Sequence, residues 1–153
     1  MSKHNIDLKQ YTRGDLIGEG PKAEVLQLKS NNEELVHAIK ILKQPFDKKE
    51  DKKVFKEAES TYKLNSPSIT QFLAIQTLKH NDVKTSSLIS EYISNVSLRQ
   101  ILQSVKQQEL GDNWNDTTKL ITIYGIANGM SYLHSHDVIH SNLKSENIII
   151  DDK

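Results

Sequence analysis

The chain has 153 residues, and its 20 Lys and Arg balance 20 Asp and Glu, so the whole-molecule field gives no reason to expect nucleic acid or an anionic membrane as a partner. It has no cysteine, which excludes disulfides, Cys-ligated zinc and a thiol nucleophile. No apolar run approaches the length of a signal core or a membrane span, so we expect a cytoplasmic protein.

The first half of the chain has the alternating pattern of strands. Residues 23–30 and 35–42 each place apolar side chains at every second position, and the polar stretch 31–34 between them predicts a hairpin. In the second of these strands, period two puts Val36, Ala38 and Lys40 on one face and His37, Ile39 and Ile41 on the other. Residues 48–64 favour a helix that ends before Pro67, and "ITQFLAIQTL" and "SSLISEYI" predict two more strands.

The second half of the chain has helical periodicity. Residues 95–108 and 116–136 carry apolar side chains at helical spacing, and Asn115 or Asp116 is a suitable N-cap for the second of these helices. A strand-rich half followed by a helix-rich half indicates an α+β fold rather than alternating α/β.

The stretch "LIGEGPKAEV" (16–25) contains glycines that would let main-chain amides approach phosphates. A Walker A loop is excluded because its lysine and hydroxyl are absent. A dinucleotide fingerprint matches on letters, but it requires a following helix and an acid about 20 residues on. A strand–loop–strand flap with a lysine on the next strand fits the order of elements, although the motif alone does not distinguish it from an ordinary hairpin turn.

Lys40 ends a small apolar wall formed by Val36 and Ala38. This arrangement suits a nucleotide, with the base against the wall and the phosphates near the ammonium group. An isolated strand lysine more commonly extends its charge into water. The following helix offers Glu57 and Glu59, which are two residues apart, so only one of them can meet Lys40.

Taken together, these motifs resemble a eukaryotic protein kinase, in particular the tyrosine-kinase-like group of Ser/Thr kinases. "IGEGPKAEV", "VHAIK", "FKEAESTYKLNSPSI", "LISEYISNVSL", "GMSYLHS" and "HSNLKSEN" occur in the family's order. The resemblance implies a tail (1–10) and a partial kinase domain (11–153). That domain comprises a complete β-rich small lobe (11–90), a hinge (91–96) and the first part of a helical large lobe (97–153).

The resemblance also implies a role for individual residues. ATP with Mg²⁺ would be the cofactor, and a protein substrate or partner is expected. The adenine would contact Ile17, Val25, Ala38, Ser90 and Ile149 and the hinge main chain at Glu91 and Ile93. The phosphates would be covered by Gly18 and Gly20, with Ala23 in place of a third glycine. Lys40 would bind phosphate and pair with Glu57, Lys144 would contact the transferred phosphate, Asn147 would hold Mg²⁺, and His140 would be structural.

The sequence departs from the family at the catalytic position. Asn142 occupies the place of the aspartate that accepts the substrate hydroxyl proton, and an amide cannot take that proton at neutral pH. Ser141 replaces the arginine that usually docks a phosphorylated activation loop. The chain also ends before a D-F-G motif, so we expect weakened Mg²⁺ binding.

Two functions follow from these observations. One is a pseudokinase that binds nucleotide or a partner without catalysis. The alternative is a fragment of an active Ser/Thr kinase that transfers the ATP γ-phosphate to protein hydroxyls.

The spacing of His134, His136 and His140 suggests a zinc site, but no carboxylate or cysteine completes an obvious ligand set. We also expect helix 116–136 to expose apolar side chains and to promote association.

Overall fold

The computed structural model describes residues 6–31, 36–45, 47, 61–80, 82–94, 96–107, 109 and 114–150. The chain divides into two compact units. The first unit comprises Met1–Asn65 and Thr70–Tyr92, and the second comprises Ser66–Ile69 and Ile93–Lys153. Within the described ranges, no helix is long and apolar enough to span a membrane.

The first unit contains one five-stranded antiparallel sheet. Its strands are β1 (Tyr11–Glu19), β2 (Ala23–Ser30), β3 (Val36–Leu42), β4 (Phe72–His80) and β5 (Val83–Glu91), in the spatial order β1-β2-β3-β5-β4. The β2–β3 hairpin and the two later strands confirm the alternation seen in the sequence. Of the predicted helix 48–64, only Thr61 and Tyr62 are described as helical, and most of the segment lies outside the described residues.

The two faces of the sheet differ as period two requires. Five buried side chains form the core on one face: Leu28, Ile39, Ile41, Ala74 and Ile89. Ile39 and Ile41 are at most 1% exposed, whereas Lys40 between them is exposed. This confirms the predicted division of β3. Leu8, in a short 3-10 helix (Leu8–Gln10), packs against this core from the N-terminal side.

In its described residues, the second unit has the α-helices α1 (Leu98–Lys106) and α2 (Asp116–Ser135). Ser97 and Gln100 form a capping box at the start of α1, so the first-turn amides are satisfied by side chains. Asn115 caps α2 by accepting a hydrogen bond of 3.0 Å from the Thr118 amide, which confirms one of the two predicted caps. A short 3-10 helix, Ser145–Asn147, follows the loop after α2.

The turn Ser66–Ile69 packs against α2 at a glycine. A Cβ built on Gly129 would lie 2.9 Å from the Ser68 carbonyl oxygen, so the backbones approach more closely than a side chain allows. The Asn128 amide beside it donates a hydrogen bond of 3.1 Å to the Ser68 hydroxyl. The other glycine of α2, Gly125, meets nothing within 4 Å.

The N-terminal half of α2 exposes large apolar side chains, as the sequence predicts for this helix. Leu120, Ile121, Ile123 and Tyr124 are each between 62% and 71% exposed. Towards the C-terminal end, Leu133 is buried. The helix is therefore packed at one end and uncovered at the other.

Candidate functional site

Three of the predicted site residues lie in one row across the first unit. Gly18 on β1 pairs with Val25 on β2, and Val25 pairs with Lys40 on β3. Directly opposed residues of an antiparallel sheet project from the same face. A glycine, an apolar side chain and an ammonium group therefore occupy neighbouring positions on the face opposite the buried core.

The glycine-rich loop joins β1 and β2 in a tight turn. The Gly20 amide donates a hydrogen bond of 2.8 Å to the carbonyl of Ala23, which closes the turn. Ile17, predicted to cover a base, is 43% exposed near the end of β1. A Cβ built on Gly18 would lie 3.8 Å from the Val25 Cβ. Because glycine has no side chain, the surface beside Val25 is not covered at this position.

An ion pair that the sequence motifs do not predict joins the glycine-rich stretch to the residue directly after β3. The Lys43 ammonium is 2.6 Å from the carboxylate of Glu19, the residue between the two loop glycines. The hydrogen bond and the charge of Lys43 lower the pKa of the Glu19 carboxyl. The pair partly neutralises a negative charge at the position where the family resemblance places phosphates. Its only signal in the sequence is the acid inside the glycine motif.

Ala38 and Ser90, both predicted to contact a base, are paired neighbours on β3 and β5. The Ser90 hydroxyl donates to the Glu91 carbonyl at 3.2 Å. Glu91 is fixed further by Gln71: its amide donates to the Gln71 carbonyl at 3.0 Å, and its carboxylate accepts from the Gln71 amide. Ile93, two residues after the end of β5, is the first residue of the segment Ile93–Lys153, which belongs to the second unit.

Gln27 and Tyr92, which no sequence motif predicts as site residues, are joined by a hydrogen bond. The Gln27 side-chain amide donates a hydrogen bond of 2.9 Å to the Tyr92 hydroxyl. The position of Gln27, two residues after Val25 and on the same face, was the available signal. The predicted partner of Lys40, Glu57, lies outside the described residues, so that pair stays a prediction.

The loop 140–147 in the second unit is held by hydrogen bonds to its own main chain. Asn142 donates from its main-chain amide to the His140 carbonyl at 2.8 Å, and Ser141 between them has a φ of 60°. The Asn147 side-chain amide donates to the Asn142 carbonyl at 2.8 Å. Because the nitrogen of this amide is used inside the loop, its oxygen is left to accept from or coordinate something else.

The end of this loop is attached to α1. The Leu98 amide donates to the Ile148 carbonyl at 2.8 Å, and Ser97 and Ile149 form an isolated antiparallel bridge. The Arg99 guanidinium pairs with the carboxylate of Glu146. A main-chain hydrogen bond and the Arg99 guanidinium lower the pKa of Glu146. Ile149 is therefore held by main-chain contacts while its side chain stays 41% exposed.

Lys144 and the clustered histidines complete the predicted residues of this unit. Lys144 is exposed and directly precedes the 3-10 helix, whose last amide, that of Asn147, donates to the Lys144 carbonyl at 2.9 Å. His136 has its Nδ1 2.9 Å from the Tyr132 carbonyl oxygen at the end of α2. His140 is half-buried. Over the described part of the chain, no three His, Cys, Asp or Glu side chains come together as a metal-binding group.

Comparison with known proteins agrees with this arrangement of elements. The family model described as the protein kinase domain matches residues 11–153. A probable serine/threonine-protein kinase of Dictyostelium discoideum is 28% identical over 149 residues, which is 97% of this chain and 28% of the relative. Aurora kinase of Saccharomyces cerevisiae is 28% identical over 148 residues, 95% of this chain and 38% of the relative.

A serine/threonine-protein kinase of Drosophila persimilis is 28% identical over 142 residues, 92% of this chain but 17% of the relative. The chain thus spans less than two fifths of the length of each of these three curated relatives. The family model nevertheless covers nearly the whole chain, from the start of β1 to the last residue. The chain belongs to the protein kinase family.

Proposed function

We propose that this chain is an ATP-binding protein-kinase domain in which phosphoryl transfer is impaired. The observation that carries the proposal is the row formed by Gly18, Val25 and Lys40 on one face of the sheet. This row combines a main chain without a side chain at Gly18, the apolar side chain of Val25 and the positive charge of Lys40. These features are suited to binding phosphates and a flat base. An ordinary hairpin turn does not require all three in register.

The base is assigned to the same face. In this proposal Val25 and Ala38 supply apolar contacts from this face, and Ser90 supplies a small side chain beside Ala38. Ile17, at the register shift between Leu16 and Gly18, supplies a further apolar contact. In this proposal the main chain of Glu91 and Ile93 binds the edge of the base. The phosphates approach Gly18, Gly20 and Lys40, whose charge is exposed on the sheet.

The loop 140–147 supports Mg²⁺ coordination by Asn147. Magnesium prefers oxygen ligands and usually binds through one or two carboxylates together with substrate phosphates and water, and an amide oxygen is a neutral ligand of the same kind. The Asn147 amide oxygen fits that requirement because its nitrogen is committed to the Asn142 carbonyl. When bound, the ion would neutralise phosphate charge, and the exposed Lys144 would contact the phosphate that is transferred.

The impairment is assigned to Asn142. Asparagine has the size of aspartate and keeps one acceptor oxygen, but it carries no charge and takes no proton at neutral pH. General-base catalysis typically contributes about 10²–10⁴-fold to a rate. Since phosphoryl transfer depends largely on positioning and electrostatics, a trace rate is compatible with this loop. Ser141 also lacks the charge to dock a phosphorylated segment.

The alternative function is an active Ser/Thr kinase that transfers the γ-phosphate to protein hydroxyls. The names of the relatives favour it, since they are described as serine/threonine-protein kinases. Under either function, this domain binds ATP. It also binds a second protein, which is either a substrate or a partner that recognises the nucleotide-bound form.

Nucleotide binding is tested first with the chain itself. Titration with a fluorescent ADP analogue, with and without Mg²⁺, should give saturable binding. Lys40→Met should weaken it about 10- to 100-fold, because a hydrogen bond to a charged group is lost. Lys29→Met is the matched control, since it removes another exposed strand lysine, which pairs with Asp15. No saturable binding by the wild-type chain would refute the proposal.

Catalysis is tested separately in the full protein that the gene encodes. Asn142→Asp should raise phosphate transfer from labelled ATP to a generic protein substrate by about 10²-fold or more, because it restores the proton acceptor. A wild-type rate equal to that of the Asp variant would favour the active-kinase alternative. Binding without transfer in both forms would show that the defect extends beyond this residue.

A further inference from the structure

One hydrogen bond links β2 to the residue that directly follows β5. The Gln27 side-chain amide donates to the Tyr92 hydroxyl at 2.9 Å, and the contact is partly buried. The ladder of β5 ends at Glu91, so the strand pairing does not extend to Tyr92. The side-chain bond fixes Tyr92 where strand pairing has stopped.

The bond spans a neighbouring strand. Gln27 pairs with Ala38 on β3, and Ala38 pairs with Ser90 on β5, so the three residues form a row on one face. Adjacent strands are about 4.8 Å apart, which puts the Gln27 and Ser90 backbones roughly 10 Å from each other. A glutamine and a tyrosine can bridge that distance because Ala38, on the strand between them, has a short side chain.

A glycine on the other side makes room for Gln27. A Cβ built on Gly14 of β1 would lie 2.9 Å from the Lys29 Cε, 3.0 Å from the Gln27 Cβ and 3.2 Å from the Gln27 Oε1. The pairing of β1 with β2 is irregular here, with a register shift between Arg13 and Leu16. This irregularity and the missing side chain at Gly14 leave space for the Gln27 amide in its observed position.

The residue before Tyr92 is held from a different side. Glu91 is bound to Gln71 through both its main-chain amide and its carboxylate. The two-residue segment Glu91–Tyr92 is thus fixed by Gln71, just before β4, and by Gln27 of β2. These are independent contacts, so loss of the Gln27 bond would release Tyr92 without detaching Glu91 from Gln71.

We infer that Gln27, supported by Gly14, is a positioning residue that sets how well this domain binds the base of a nucleotide. The inference rests on the proposed function, in which the main chain of Glu91 and Ile93 binds the base. Gln71 holds Glu91, and Tyr92 directly precedes Ile93, so the Gln27 bond restrains the main chain that leads from Glu91 to Ile93. The phosphates are assigned to Gly18, Gly20 and Lys40, which this network does not support.

The test separates base binding from phosphate binding. Dissociation constants for ADP and for pyrophosphate are measured by competition with the fluorescent ADP analogue, both with Mg²⁺. The variants are Tyr92→Phe, Gln27→Met, their double variant and Gly14→Ala. The control is Lys79→Met, which changes an exposed lysine of β4 that pairs with Asp82. Urea unfolding of each variant shows that it is folded at the assay temperature.

Each of the first two variants should weaken ADP binding about three- to ten-fold, the range for one lost hydrogen bond. Pyrophosphate binding should change less than about two-fold. The double variant should weaken ADP binding no more than either single variant, because both remove the same bond. Gly14→Ala should produce the same selective loss, since its side chain displaces the Gln27 amide.

Three results would overturn the inference. One is ADP binding within about two-fold of wild type in both Tyr92→Phe and Gln27→Met. Another is an equal loss of ADP and pyrophosphate binding, which would indicate a general effect on the fold. Additive losses in the double variant would show that the two side chains act separately. If the wild-type chain does not bind the analogue at all, the proposed function itself is refuted, and this inference with it.

Discussion

The side-chain amide of Asn147 donates a hydrogen bond of 2.8 Å to the main-chain carbonyl of Asn142. The acceptor is a carbonyl that every residue carries, so this contact does not depend on whether position 142 is an acid or an amide. The presence of asparagine instead of aspartate at position 142 removes the proton acceptor but leaves this hydrogen bond of the loop intact. Loop geometry and acid–base chemistry are separable at this position.

Asn147 provides a direct test of the assigned metal ligand. Asn147→Ala should reduce the gain in ADP affinity that Mg²⁺ provides over EDTA by about three- to ten-fold, because it removes the coordinating oxygen. Asn147→Asp is the matched variant, since it keeps an oxygen ligand but cannot donate to the Asn142 carbonyl. An unchanged Mg²⁺ gain in the alanine variant would exclude Asn147 as a ligand.

The two glycines of α2 predict opposite responses to the same substitution. Gly125→Ala should raise the free energy of unfolding by about 0.5–1 kcal/mol, because its Cβ meets nothing and alanine favours the helix. Gly129→Ala should lower it by about 1–3 kcal/mol, since the new Cβ would lie 2.9 Å from the Ser68 carbonyl oxygen. Urea unfolding measures both. Equal stabilisation in the two variants would contradict the close packing at Gly129.

The strands are predictable from the sequence because the alternation of apolar and polar residues along a strand reflects which side chains are buried. Ile39 and Ile41 are buried and Lys40 is exposed, as period two requires. The contacts of Gln27 were not predictable in this way. They depend on the register of three strands and on the space left by Gly14, and neither is contained in the pattern of a single segment.

The site shows the same division. The glycines, Lys40 and the loop around Asn142 were found because spacing along the chain is itself the signal. The Glu19–Lys43 pair joins the last residue of β1 to the residue directly after β3, and a lysine at position 43 has no distinguishing neighbours in the sequence. Side-chain pairs that form only after the strands align are therefore the part that local patterns miss.

The exposed side chains of α2 predict self-association. Leu120, Ile121 and Tyr124 are each at least 66% exposed, and burying them between copies would remove apolar surface from water. Sedimentation of the 153-residue chain should show a mass that increases with concentration. The variant Ile121→Lys/Tyr124→Lys should shift the chain towards monomer. A monodisperse wild-type monomer across the concentration range would refute this prediction.

His37 predicts how stability changes with pH. Burial lowers the pKa of the His37 imidazole, whose ring lies 5.7 Å from that of Tyr11. Below the ordinary histidine pKa of about 6.5, the unfolded chain binds more protons than the folded chain at this residue, so its contribution to stability falls as the pH falls. The urea midpoint should therefore drop less between pH 7 and pH 5 in His37→Phe than in wild type. The same pH dependence in both proteins would contradict the assignment.

The ion pair of Glu19 and Lys43 predicts an electrostatic effect on nucleotide binding. The carboxylate lies between Gly18 and Gly20, so an unpaired negative charge there would repel phosphates. Lys43→Gln should weaken ADP binding about two- to five-fold, and Glu19→Gln should strengthen it by a similar factor, because exposed pairs are worth little in water.

Salt and the double variant separate this effect from a change in loop structure. The difference between Lys43→Gln and wild type should shrink as NaCl rises from 0.05 to about 0.5 M, because surface charges are screened over a Debye length. Glu19→Gln/Lys43→Gln should bind ADP with an affinity between those of the single variants. If Lys43→Gln loses affinity equally at all salt concentrations, the lysine acts by holding the turn closed, since its main-chain amide also donates to the Lys22 carbonyl at 2.9 Å.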